Sequence, residues 1–161
     1  IEDHGVAAVV LPYDPHARTA LLVRQLRNGV LLSGAEDPRL LEAPAGLIDP
    51  GEDAQTAARR EAMEEVGVQL ADLEKVADVY SMPGVSTEKL SLFVGAYSQS
   101  NRIAAGGGLE SEHENIEVVE LGLAELARRA EYGQLADLKT LALVLHLRTR
   151  RPELFEDQVT N

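Results

Sequence analysis

The residues best able to do chemistry lie in the segment 54–66, which contains Arg60, Glu61, Glu64 and Glu65. On a helix, Glu61 and Glu65 are i,i+4 and Glu61 and Glu64 are i,i+3. All three acids then share one face, ~5–6 Å apart at Cβ. Like charges at that spacing weaken a helix by a few tenths of a kcal/mol per pair, about 0.2–0.5. A divalent cation would offset that repulsion, and Mg²⁺ favours hard carboxylate oxygens while keeping several waters. The glycine-bearing stretch 46–51 can bring backbone close to the same helix, and the Ala45 carbonyl could complete a coordination shell. Taken alone, the acidic run reads sooner as an ordinary solvated helix face, because short charge motifs match by chance.

Other chemistries are poorly supplied. The chain has no cysteine, so disulfides, thiolate nucleophiles and cysteine-based metal sites are excluded. That also fits a reducing cytoplasm. No two of the four histidines have ligand spacing, and only His113 lies near the acidic segments.

The elements that must position these acids follow from the residue pattern. Residues 5–11 are apolar without interruption and predict a buried strand, with a turn over Pro12–His16. Residues 19–27 predict a second strand paired to it. After a loop at 34–38, a short strand over 40–43 is broken at Pro44-Ala45-Gly46. Asp53 is a helix N-cap and Gly67 a C′ glycine, bounding a helix over 54–66. Strands follow at 74–80 and 89–97, then a long polar stretch, 101–115, with Gly106-Gly107-Gly108. A loop of that length in a compact domain is usually functional or disordered. A strand over 116–121 precedes helices over 122–131 and 136–149, the second with an apolar stripe of Leu138, Leu141 and Leu145. Interleaved strands and helices give a mixed α/β class.

Composition bounds the rest. The 161 residues suit a single domain spanning 1–161, and 45% hydrophobic with 26% charged residues argues against wholesale disorder. Fifteen basic against 27 acidic residues give a net charge of −12. Nucleic acid and anionic membranes would be repelled as main partners. The longest apolar run is too short to span a bilayer. Because the chain begins at Ile1, its natural N-terminus is expected to be missing.

From Gly46 the pattern reads Gly46, five residues, Glu52, seven residues, then Arg60-Glu61-Ala62-Met63-Glu64-Glu65-Val66-Gly67-Val68. This resembles the Nudix box, G-x5-E-x7-R-E-U-x-E-E-x-G-U, where U is apolar. All seven invariant letters stand in register. Ala62 departs from the bulkier aliphatic residue usual there, which implies altered packing and retained chemistry. Leu41 to Gly46, Pro83-Gly84 with Glu88, and the region Gly106 to Glu120 extend the resemblance over about residues 5–150. They are similar to the ADP-ribose and GDP-mannose pyrophosphatase branch. Pro83, sixteen positions after Gly67, matches a mark of the ADP-ribose hydrolases.

The resemblance implies a Nudix α/β/α sandwich with a mixed central sheet. It implies hydrolysis of a nucleoside diphosphate sugar with Mg²⁺ or Mn²⁺, two or three ions being present with substrate. By position, Glu61 and Glu65 correspond to the principal metal ligands, with Glu64, Glu52, Ala45 and Glu114 assisting. Arg60 would orient Glu65 or Glu52. Glu112 stands at the general-base position in a downstream loop. Arg27 aligns with an arginine that contacts substrate phosphates, and Glu42 and Glu88 are pocket candidates. Without the resemblance, the loop acids would be ordinary solvated residues and Arg27 equally a surface arginine. The resemblance implies a homodimer completed by an N-terminal β segment, most of which is expected to lie outside this sequence. ADP-ribose, giving AMP and ribose 5-phosphate, is the first expected substrate and GDP-mannose the alternative. A non-catalytic nucleotide-sugar sensor and a decapping-type hydrolase are competing readings. The complete box disfavours the first and the acidic charge disfavours the second.

Overall fold

The computed structural model describes residues 1–112 and 115–156, with the backbone alone at Glu112. Its centre is a seven-stranded mixed sheet. The strands are β1 (Val6–Asp14), β2 (Thr19–Leu26), β3 (Arg39–Glu42), β4 (Ala45–Leu47), β5 (Glu74–Tyr80), β6 (Lys89–Ala96) and β7 (Glu117–Gly122). The main order is β3-β2-β1-β6-β5, with β4 paired to β1 and β7 to β2. The β1–β6 pair is parallel and the other pairs are antiparallel.

Helices cover both faces. A short helix α1 (Asn28–Leu32) follows β2, and α2 (Ala54–Val66) lies on one face of the sheet. Helices α3 (Leu123–Glu131) and α4 (Leu138–Arg150) lie on the other. Alternation along β1 explains the two cores. Ala7, Val9, Leu11 and Tyr13 pack with α3 and α4, whereas Ala8 and Val10 pack against Ala57, Ala58, Ala62 and Val66 of α2. A strand buried on both sides reads as a continuous apolar run, as this one does. Fully buried Ala62 belongs to a small-residue face that lets α2 approach the sheet closely.

Three local expectations are corrected. First, β1 runs through Pro12 to Asp14, and the turn is confined to 15–18. Pro12 falls between the β1 residues paired to β4 (7–9) and those paired to β2 (13–14), so no neighbour on that edge needs its missing N–H. Second, the break at Pro44 is brief: Ala45 and Gly46 begin β4, and the Pro44 carbonyl accepts from Val10 N–H. Third, the stripe on α4 is misplaced. Leu138 and Leu145 are 68% and 44% exposed, and the inward face is Thr140, Leu143, Val144 and Leu147. Both sets fit a helical period because α4 carries apolar residues nearly all round. The cap decides the rotation: Asp137 accepts from Thr140 N–H and the Thr140 hydroxyl, which turns Thr140 inward to accept from Ala43 N–H.

Candidate active site

The acidic helix is well defined at both ends. Asp53 accepts from Thr56 N–H at 2.8 Å, satisfying an orphan donor of the first turn. Gly67 closes the helix at φ +69°, a conformation that suits glycine. A Cβ there would meet the Ala104 carbonyl oxygen at 2.0 Å.

Between these ends the box acids converge on β4 and Arg60. Glu65 is 1% exposed and accepts from Ala45 N–H at 3.1 Å. Glu61, 7% exposed, fills the space over Gly46, where a Cβ would stand 2.0 Å from its Oε1. Arg60 donates to both Glu52 oxygens at 3.0 Å, to Glu61 at 2.6 Å, to Glu64 at 3.3 Å and to the Leu47 carbonyl at 2.9 Å. The Arg60–Glu52 fork is bidentate, the strong geometry for this pair. It holds the Glu52 carboxyl below its usual range and raises the Arg60 guanidinium above its own. Of the two carboxylates expected for Arg60, Glu52 takes its bidentate fork, and Glu65 accepts from β4. Among the described residues no three acids or histidines stand as a ready-made cation cage. Arg60 sits among Glu52, Glu61 and Glu64, at the place where their oxygens meet.

On the opposite side of β4 is a cavity of about 1120 Å³. Ala45, Gly46 and Leu47 form its shared wall with the acidic patch. One end is charged, with Arg27, Glu42, Glu88 and Lys139; the rest is largely apolar, including Leu40, Val79, Met82 and Leu138. Glu42 is 1% exposed. Arg27 grips it bidentately at 2.7 and 2.9 Å, and Lys139 donates to it at 2.6 Å. Burial pushes the Glu42 carboxyl up, but the Arg27 hydrogen bonds and the Lys139 charge outweigh it and bring it below the ordinary value. Asp137 braces Lys139 at 2.7 Å.

The fold thus brings together Glu52, Arg60, Glu61, Glu64, Glu65 and Ala45, and separately gathers Arg27, Glu42 and Glu88 around the cavity. The Glu112 side chain, Glu114 and His113 lie outside the described residues. Sequence reasoning missed Lys139 and Asp137. The signal available was the cap pattern Asp137-x-x-Thr140 with a lysine inside it.

The fold and site together are a mixed sheet between helices, with a glycine-backed acidic helix beside a large cavity. A family model described as NUDIX domain matches residues 3–139. The chain belongs to the NUDIX family and is a hydrolase acting on pyrophosphate bonds. It is 37% identical over 150 residues to a GDP-mannose pyrophosphatase of Cronobacter sakazakii (strain ATCC BAA-894), covering 93% of this chain and 77% of that protein. A GDP-mannose pyrophosphatase of Escherichia coli (strain SMS-3-5 / SECEC) is 36% identical over 149 residues, covering 92% and 76%. Among solved structures, a crystal structure of an ADP compounds hydrolase matches with a TM-score of 0.71 at 23% identity, covering 92% of this chain and 73% of that one. That likeness bears on the fold.

Proposed function

We propose that the chain hydrolyses the pyrophosphate bond of a nucleoside diphosphate sugar with the help of Mg²⁺ or Mn²⁺. The observation that carries this reading is the shared wall: Gly46 of β4 borders the cavity on one side and receives the Glu61 carboxylate on the other. The similarity to GDP-mannose pyrophosphatases favours GDP-mannose, and Pro83 favours ADP-ribose. A homodimer in the cytoplasm belongs to the same reading.

The donor set suits a hard cation. It consists of carboxylate oxygens on one helix face, two of them on acids almost withdrawn from water, with space above Gly46 that any side chain would fill. Glu61 and Glu65 would be the main ligands, with Glu64, Glu52, Glu114 and the Ala45 carbonyl assisting. A divalent ion bound there supplies charge neutralisation of the diphosphate and an activated water. The residues do the rest. Arg60 fixes Glu52 and restrains Glu61 and Glu64. Glu112 takes the proton of the attacking water. Arg27 and Lys139, both on Glu42, place positive charge at the cavity's polar end for the phosphates. Glu88 faces the same space.

The test is a panel of GDP-mannose, ADP-ribose and other diphosphate sugars with Mg²⁺ or Mn²⁺, read by release of nucleoside monophosphate. Turnover of a diphosphate sugar is expected, with activity lost in E65Q. No turnover of any member overturns the substrate class. Unchanged activity and Mn²⁺ affinity in E65Q would overturn the metal assignment.

A further inference from the structure

Backbone hydrogen bonds join the stretch Ile103–Gly108 to the acidic helix and its cap. The last carbonyls of a helix have no intrahelical partner. Here Val68 N–H donates to Ala62 O and Gly67 N–H to Met63 O. Gly108 N–H reaches Glu64 O at 3.0 Å and Gly107 N–H reaches Glu65 O at 2.8 Å. Ile103 and Ala104 both donate to Gly67 O, at 3.0 and 3.2 Å. Two of the carbonyls so capped belong to box glutamates.

Only glycine suits this docking. Gly106, Gly107 and Gly108 lie at φ +72°, +102° and +80°. A Cβ on Gly106 would stand 2.5 Å from Glu65 O and 2.7 Å from Val66 Cα, both backbone atoms held by the helix. On the far side, Ile116 packs against the core cluster that holds α2.

We infer that Gly106, Gly107 and Gly108 are positioning residues, which dock the chain leading to Glu112 onto the turn that carries Glu64 and Glu65. Their hydrogen bonds set the register between the acidic helix and the following segment. This rests on the reading that the general base lies in that segment. Misplacing a reacting group by ~1 Å costs about 10²-fold in rate, so the docking is a catalytic requirement.

The experiment compares G106A with G133A. Gly133 also has positive φ, at +66°, but a Cβ there meets nothing within 4 Å. For G106A we expect kcat to fall by about 10²-fold. KM and Mn²⁺ affinity measured by electron paramagnetic resonance should stay at wild-type values, while Tm should fall below that of G133A, because of the two added Cβ atoms only that at Gly106 meets backbone. G133A should keep wild-type kcat. A wild-type kcat in G106A, or an equal loss in G133A, overturns the inference. Hydrogen exchange on the wild-type protein tests it without any variant: the Gly107 and Gly108 amides should be protected together with those of α2, and free exchange overturns it. E112Q separates this inference from the reading beneath it. An inactive G106A beside an active E112Q keeps the docking and moves the base; an active G106A beside an inactive E112Q removes the docking alone.

Discussion

Gly46 leaves vacant the volume that the Glu61 carboxylate occupies: a Cβ on Gly46 would stand 2.0 Å from Glu61 Oε1 and 2.3 Å from Cδ. Gly46 has no positive φ, so its requirement is close approach and not backbone freedom. In G46A the colliding group is the end of a flexible side chain, which can swing aside with little loss of Tm. The cost falls on the ligand. Mn²⁺ affinity should drop about 10–100-fold, the range for disturbing groups that orient metal ligands. Calorimetric titration with Mn²⁺ checks this, and unchanged affinity would remove Glu61 from the site.

Arg60 is the counter-charge of the box, 28% exposed and bonded to Glu52, Glu61 and Glu64. R60A leaves those acids facing one another. We expect a loss of about 2 kcal/mol without metal, the scale of a charge-assisted hydrogen bond at a partly exposed site. Added Mn²⁺ should then raise the Tm of R60A more than that of the wild type, because binding to the native state restores the missing positive charge. Thermal melts with and without Mn²⁺ decide it. An equal metal-induced rise in both proteins would mean that Arg60 and the cation do not act on the same carboxylates.

Much of this arrangement was legible in the sequence, for physical reasons that differ by element. Helix α2 declared itself through Asp53, Gly67 and a run of strong helix formers, all local signals. The box spacing placed Glu61, Glu64 and Glu65 on one face for the same reason. The partner chosen by Arg60 was not legible, because it depends on how the turn at 49–52 brings Glu52 back to the helix. Lys139 was hidden further still: it meets Glu42 across 97 residues of sequence, and only the packing of α4 on the sheet joins them. The same packing undid the Leu138–Leu141–Leu145 stripe, since periodicity alone does not rank two apolar faces of one helix.

The general base gives a separate prediction. E112Q should lower kcat by about 10²–10⁴-fold, as expected when positioned proton transfer is lost. Mn²⁺ affinity should survive, because the ligands proposed as principal, Glu61 and Glu65, are on α2. A glutamine keeps the size of the side chain, so KM should change less than kcat. Steady-state kinetics with a Mn²⁺ titration separate the outcomes. A near-wild-type rate in E112Q would transfer the role to Glu114 or Glu110.

Glu42 supplies the pH dependence. Its carboxylate is buried between Arg27 and Lys139, and its pKa lies below the ordinary value of 4.5. A carboxyl whose pKa is lowered by folding contributes stability above its unfolded pKa and loses it as pH falls through the folded one. In E42Q both cations lose their counter-charge. We expect a loss of about 3 kcal/mol at neutral pH, the low end for breaking a buried pair because Arg27 is 43% exposed. That difference should hold from pH 7 to about 5 and then shrink below about pH 4.5, where the wild-type carboxylate must take up a proton and the amide of the variant does not. Tm measured for both proteins between pH 7 and 3 tests this. Two parallel curves would show that the Arg27–Glu42–Lys139 charges are not what Glu42 contributes to stability.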